Sequence, residues 1–522
     1  MIISVLQKIS VLPYKKVLLW VLSIVALIPL VLSLASSVNQ PQVQANLQLY
    51  QTNLNLQAAD LPYDYLSDRD NGENLKILQT TLLGQNPYST ADQQYEDTRI
   101  TAEKNLALLQ KKYPPELLEK TRGNPLAAEI NLLKDLKLKL GIIKAYGGDT
   151  GSAFKLWAEL INPLNNLVTK PYIGKNAYLL TKLWSDPPEV VSDAEARIER
   201  TFKGWFRYVT LKRLYEVQGT IEQLATLETE QVDTAINALI KLTIVSLIPV
   251  IGSLLGVGII IVLLVQLFLR KEKALLWISQ DLAWSTPWNV ETLVIVFILG
   301  FFLVGQIILP LIFGLTWGLL GINPARFNLQ VKAGYVFISY LVMAGISLSI
   351  LYGATKPFKP LPANWFSLRW FSNWLLWGLG GYLTALPLVI IVSLINQQIW
   401  QGQGGSNPLL SLALEAQDKV ALLLFGITAS LAAPIFEEWM FRGFLLPSLT
   451  RYLPVWGAIG CSSLIFALAH QNLSEVLPLT TLGIVLGIVY TRSKNLLASM
   501  LLHSLWNTGT LMSLFILGSS SG

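Results

Sequence analysis

Glu437, Glu438 and Arg442 lie within six residues of one another in a long apolar run, Ala433-Pro434-Ile435-Phe436-Glu437-Glu438-Trp439-Met440-Phe441-Arg442-Gly443. The chain's two histidines, His470 and His503, fall in apolar runs further on. Each charge near a bilayer centre costs about 2.5–3.5 kcal/mol on insertion scales. Nothing structural asks for two adjacent carboxylates at that cost. Carboxylates and imidazoles can move protons, and these residues read as one polar site inside a membrane bundle.

Helical spacing assigns expected roles. Successive residues are about 100° apart, so Glu437 and Glu438 are expected on different sides of their helix. Glu438 and Arg442 are four apart, share a face and can pair, which lowers the membrane cost of both. Glu437 is left without a local partner and is suited to taking a proton from water. Phe466 and His470 share a face, as do His503 and Asn507. A His–Asn pair on one face can polarise a carbonyl or stabilise an oxyanion. The bland alternative for a lone membrane histidine is a helix–helix hydrogen bond.

Other protease chemistries fit poorly. There is no HExxH zinc motif and no Asp after Asp418, so the terminal bundle has no aspartyl pair. Cys461, the single cysteine, lies on the helix face opposite His470. Ser463 shares the face of His470 but sits about 10 Å away along the axis, beyond hydrogen-bond reach.

Composition says what must position these residues. Of 522 residues, 52% are hydrophobic and 14% charged, against about 25% charged in a soluble domain. The net charge of +6 lies largely in loops beside apolar runs, a pattern that sets membrane topology and not nucleic-acid binding. The expected partners are the lipid bilayer and a protein substrate of unknown identity. One cysteine excludes an internal disulfide framework and a multi-thiolate metal site.

Residues 17–38 are long enough to span, and Lys8, Lys15 and Lys16 place the N-terminus inside. Val43-Gln44-Ala45 offers a rival signal-peptide cleavage pattern, but the run exceeds a usual h-region and reads as an uncleaved anchor. Residues 39–235 are polar and contain no run that could span. Asn39 to Asn55 reads as a Gln/Asn-rich linker, and a helical pattern starts near residue 98. Pro114-Pro115 and Asp186-Pro187-Pro188 break it. Ser192-Asp193-Ala194-Glu195 reads as a capping box opening a helix through Ile198, Phe202 and Phe206. Leu140 to Asp149 followed by Ala153 to Trp157 resembles one tetratricopeptide hairpin, turning at Gly147-Gly148-Asp149, and Leu211 to Gly219 echoes its first helix. Two uneven echoes make no array.

Apolar runs at 236–269, 291–318, 333–354, 372–397, 419–442, 454–472, 475–491 and 496–517 follow, giving nine spans with the anchor. Pro249 and Gly252 are expected to kink the first of these. Loop charges alternate as the positive-inside rule requires, except Arg326 and Lys332, and residues 39–235 then lie on the non-cytoplasmic side. Trp277, Trp284, Trp288, Trp370 and Trp400 are expected as interfacial anchors.

Glu437-Glu438-xxx-Arg442, Phe466-xxx-His470 and His503-xxx-Asn507 resemble the three motifs of the CAAX-protease and bacteriocin-processing (CPBP) family, which takes in type II CAAX prenyl endopeptidases and abortive-infection-like proteins. Ala433-Pro434, Phe441-Arg442-Gly443 and Gly483-xxx-Gly487-Ile488-Val489-Tyr490 agree as flanks. The resemblance covers about residues 370–517 and leaves out 39–235. It implies an intramembrane endopeptidase in which Glu437 and His470 activate water, His503 and Asn507 stabilise the oxyanion, and Glu438, Arg442 and Phe466 support the site. Whether a metal takes part stays open: Glu437, His470 and His503 would make an acceptable zinc set, and Glu/His activation alone serves as well.

The expected fold is all-α, a polytopic transmembrane helix bundle with an N-terminal extramembrane helical domain. Its parts would be an anchor at 1–38, an extracytoplasmic helical domain at 39–235, transmembrane helices at 236–370 and a CPBP-like catalytic bundle at 371–522. The rival function is a non-catalytic membrane scaffold or chaperone holding a protein partner. One geometric tension stands. With a turn near Tyr452, Glu437 and His470 lie about 22 and 27 Å from it, yet His503 lies only about 10 Å from a helix start near Leu496. Either residues 443–453 protrude or the helix limits are wrong.

Overall fold

The computed structural model describes residues 15–38, 40, 42, 44–61, 72–112, 125–161, 172–407 and 418–518. Lys8, Val43 and Pro114-Pro115 lie outside them. The described residues form helices and no strand. The chain divides into two units, Met1–Val43 with Ile248–Phe515, and Gln44–Leu247 with residues 516–522.

The first unit opens with α1 (Lys15–Ser37). The second contains α2 (Gln44–Ala59), α3 (Gly72–Leu83), α4 (Pro87–Lys112), α5 (Pro125–Tyr146), α6 (Thr150–Ile161), α7 (Tyr172–Leu183), α8 (Ala194–Thr201), α9 (Gly204–Gln218) and the start of α10 (Ile221–Arg270). The Gln/Asn-rich stretch expected as a linker is mostly helix α2. Its Leu49, Leu54 and Leu56 are buried, and apolar burial outweighs the weak helix propensity of Asn. The expected hairpin forms from α5 and α6. A Cβ on Gly141 would stand 2.2 Å from Trp157 Nε1, so only glycine admits the buried indole there. Gly148 takes the left-handed turn conformation at φ 92°.

The capping box does not form. Asp193 is the N-cap, without a side-chain cap bond, and Glu195 instead accepts from the Tyr215 hydroxyl at 2.7 Å. The helix also stops at Thr201, where Phe202 turns extended at ψ 149°, so Phe206 belongs to α9.

Eight helices among the described residues are long and apolar enough to cross a membrane. These are α1, α10, α11 (Val290–Leu319), α12 (Leu329–Thr355), α13 (Trp374–Trp400), α14 (Lys419–Leu449), the segment ending in α16 (Val476–Ser493), and α17 (Leu496–Gly518). The protein is an integral, multi-pass membrane protein. The ninth expected span, 454–472, is corrected: α15 (Val455–Leu468) has 14 residues, roughly 21 Å at 1.5 Å per residue and short of a bilayer core of about 30 Å.

Helix α10 runs without interruption through Pro249 and Gly252. A Cβ on Gly252 would meet Leu386 at 2.5 Å, and one on Gly256 would meet the Leu383 carbonyl oxygen at 2.0 Å. The pair is a small-residue seam that lets α13 approach the α10 backbone. Trp284 and Trp288 pack inside the protein and do not present their rings to lipid. Both are buried; Trp284 stacks on Tyr490 with centroids 5.3 Å apart, and Trp288 stacks on Phe444 at 5.4 Å.

Two membrane helices contain π-helical segments, Ile295–Ile308 in α11 and Thr428–Ala432 and Trp439–Leu445 in α14. Each ends two residues before a proline: Pro310, Pro434 and Pro447. Proline supplies no N–H and displaces the carbonyl four residues back, which opens the helical ladder.

Candidate active site

The opened ladder in α14 decides how the site assembles. Pro434 leaves the Ser430 carbonyl, four residues back, without its α-helical donor. It also leaves the Ala429 carbonyl without a π-type donor. Residues of α17 take both. Ser504 Oγ donates to the Ser430 carbonyl, and Asn507 Nδ2 donates to the Ala429 carbonyl at 2.7 Å. These bonds set α17 against α14 at the depth of the carboxylates.

His503, on the same helix, lies between both glutamates. Its Nδ1–H donates to Glu438 Oε1 at 2.8 Å, and its Nε2 stands 3.9 Å from Glu437 Oε2. Glu437 and Glu438 have different partners, Tyr340 and Arg442, and both also stand beside one imidazole at its opposite nitrogens. Side-chain reach lets two neighbouring carboxylates converge on a ring held between them. The Glu438–Arg442 pair forms as expected, at 2.7 Å with both side chains buried. Arg442 Nη2 also donates to the Gly483 carbonyl at 3.4 Å.

Phe466 is the apolar centre of the site. Its ring centroid lies 4.4 Å from Arg442 Cζ, 4.9 Å from the His470 ring and 5.7 Å from the His503 ring. His470 Nδ1–H donates to the Phe466 carbonyl at 2.9 Å, and its Nε2 makes no hydrogen bond among the described residues. Gly483 and Gly487 have a packing reason. A Cβ on Gly483 would stand 2.8 Å from Ser463 Cβ, and one on Gly487 would stand 2.9 Å from Ile459 Cγ2. These contacts bring α16 against α15 and so position the helix that leads to His470.

The depth conflict at His503 resolves. A Cβ on Gly443 would lie 3.3 Å from Leu496 Cδ1. Thus α17 starts level with Gly443, only six residues past Glu437, and residues 444–453 extend beyond its start.

Sequence reasoning missed Tyr340 on α12. Its hydroxyl donates to Glu437 Oε1 at 3.1 Å, and its ring meets Phe436 edge-on at 5.9 Å. A signal existed, because tyrosines favour membrane interfaces and this one sits well inside a span. Ser504 was missed as well; nothing local marks it as the acceptor's partner.

Among the described residues no three His, Cys, Asp or Glu side chains are gathered closely enough to hold a metal ion as arranged; the Nδ1 of each histidine is engaged and each Nε2 is not.

Residues 419–509 match the family of type II CAAX prenyl endopeptidase Rce1-like proteins. Two relatives extend the likeness. A Staphylococcus aureus (strain USA300) protein named membrane-embedded CAAX protease MroQ is 28% identical over 137 residues, which is 25% of this chain and 54% of that protein. A Bacillus subtilis (strain 168) protein named putative membrane peptidase YdiL is 27% identical over 203 residues, 39% of this chain and 80% of that protein. The chain thus spans about half the length of the first and four fifths of the second. No solved structure matches the chain. The Rce1-like segment holds Glu437, Glu438, Arg442, Phe466, His470, His503 and Asn507. Tyr340 and the helical unit fall outside it.

Proposed function

We propose that this chain is an intramembrane endopeptidase that hydrolyses a peptide bond of a membrane-associated protein. The observation that carries this reading is a buried imidazole between two adjacent carboxylates, His503 with Glu438 at 2.8 Å and Glu437 at 3.9 Å. A membrane scaffold has no use for such a costly cluster. The match of residues 419–509 to a family of prenyl endopeptidases supports the same reading.

In this mechanism Glu437 takes a proton from a water molecule, assisted by Nε2 of His470. The water oxygen attacks the peptide carbonyl carbon. Charge gathers on the carbonyl oxygen. His503 Nε2 is aimed by the Glu438 bond and meets that oxygen as a donor when the ring is protonated. Asn507 offers the amide hydrogen that Ala429 does not use. The C–N bond then breaks as the proton passes from Glu437 to the leaving amine. Arg442 holds Glu438 in place. No step is routed through a metal, and metal analysis of the purified protein decides whether one binds. A prenylated CAAX substrate is one member of the proposed class. The loop charges support an inside N-terminus with residues 39–235 outside, where that unit would select a protein partner.

The test compares wild type with Glu437→Ala and His503→Ala, following membrane-protein cleavage products in cells. Both variants are expected to lose the same products while staying folded in the membrane. Unchanged products in both would overturn the reading and leave the non-catalytic scaffold.

A further inference from the structure

We infer that Tyr340 is a positioning residue for Glu437, supplied by a helix outside the Rce1-like segment. The inference rests on the endopeptidase reading and adds a residue to its machinery. A glutamate's terminal torsion is broad, so an unheld carboxylate swings between orientations. The two oxygens of Glu437 have different neighbours. The Tyr340 hydroxyl donates to Oε1 at 3.1 Å, and Oε2 faces His503 Nε2 at 3.9 Å. Holding Oε1 leaves Oε2, beside the imidazole, as the oxygen that receives the proton from water.

The tyrosine is itself held. Ser347 lies two turns further along the same face of α12. Its hydroxyl donates to the Gly300 carbonyl at 2.8 Å, within the π-helical segment of α11. Gly300 allows that approach, since a Cβ there would stand 2.9 Å from Ile350 Cγ2. The edge-on Phe436 ring fixes the phenol from the side. Residues of α11 and α12 thereby set the orientation of a carboxylate in α14.

The experiment uses the full chain with Tyr340→Phe, which keeps the ring and its Phe436 contact. Tyr335→Phe serves as control, because Tyr335 on the same helix packs against Phe313 and Trp317. The products that Glu437→Ala abolishes are followed by pulse–chase. Tyr340→Phe is expected to slow their formation about 10-fold to 100-fold, the loss of one hydrogen bond to a charged group. Tyr335→Phe is expected to match wild type. In a Glu437→Asp background, whose shorter side chain falls out of reach, Tyr340→Phe is expected to add little. Infrared spectra of the purified proteins supply a readout that a merely structural role would not move. The carboxyl band lost in Glu437→Gln should shift in Tyr340→Phe. A Tyr340→Phe rate within twofold of wild type would overturn the inference, as would an unshifted band. Loss of the endopeptidase reading looks different: Glu437→Ala itself would change no product.

Discussion

Two carboxylates in this protein are surrounded by donors, and the two settings are built differently. In the helical unit, Asp60 accepts from Tyr88 at 2.6 Å, from Tyr146 at 2.9 Å and from the Trp205 indole. Every donor is neutral, and both oxygens are used. In the bundle, Glu438 is fully buried and bonded through Oε1 to Arg442 and His503. Its Oε2 meets no close donor among the described residues, although the Ser499 side chain stands beside the carboxylate. Neutral donors complete Asp60 and lock three aromatic rings to the end of α2, which is a structural pin. A guanidinium and an imidazole meet Glu438 through one of its oxygens. Incomplete satisfaction is costly inside a membrane, and it is tolerated where the groups must exchange protons.

The comparison is broken most severely at Arg442. Arg442→Met leaves Glu438 buried without its cation, and removing one partner of a buried pair costs about 3–5 kcal/mol. Unfolding of the purified chain in detergent should show that loss, with cleavage abolished. Adding Glu438→Leu removes the stranded charge. The double variant should regain most of the stability and none of the activity. Recovery of activity in the double variant would make the pair a structural pin like Asp60.

How much of this was legible depended on distance along the chain. Glu438–Arg442 and Phe466–His470 are i,i+4 relations, so helical spacing was enough. The α5–α6 hairpin was announced by Gly147-Gly148-Asp149, a local turn. Hydropathy found the spans, because lipid demands a continuous apolar run. The convergence of Glu437 and Glu438 on His503 was not legible, since it depends on which helix packs against α14 and at what depth. Tyr340 was hidden for the same reason. The π-helical segments had a local signal that went unread: Pro310, Pro434 and Pro447 each stand where the ladder opens. Pro434 in particular says that carbonyls at 429 and 430 need donors, but not that Asn507 and Ser504 supply them. The 14-residue α15 escaped because the expected span was carried past Leu468 through His470, Gln471 and Asn472, which are polar and lie beyond the helix.

A smaller effect is expected at Asp60. Asp60→Asn keeps one acceptor oxygen and loses the charge, so part of the three-donor set goes unmet. Hydrogen bonds to a charged group are worth about 1.5–3 kcal/mol, and the loss should fall in that range. Hydrogen exchange on the full chain would localise it to α2, α4, α5 and α9. Burial, and then the Asp60 carboxylate, push the Tyr88 and Tyr146 phenols above their usual range. Folding holds these protons more tightly than the unfolded chain does. The associated stability is complete below about pH 10 and is lost as pH rises further. Asp60→Asn should flatten that alkaline loss. A larger destabilisation than Arg442→Met would mean that neutral donors, not charged ones, make the costlier carboxylate site.

The smallest effect is expected at a half-buried cation with no carboxylate bonded to it among the described residues. Lys494, in the loop between α16 and α17, is tied to the Leu282 carbonyl and lies 3.0 Å over the Trp284 ring. Burial, and then neighbouring Arg492, lower it to about 7. The ring face and the carbonyl oppose that shift, since both favour the ammonium form. An unfolded lysine keeps its proton to about pH 10.4. Between 7 and that value the unfolded chain binds more protons, so stability rises with pH across the window and falls back toward pH 7. Thermal unfolding in detergent from pH 6 to pH 9 should show the rise in wild type, and Lys494→Met should remove it. A flat wild-type profile would mean that the Trp284 ring and the Leu282 carbonyl hold the charge. Lys494 would then resemble Asp60, a charge completed by neutral partners, and only the site around Glu438 would keep a charge network left incomplete.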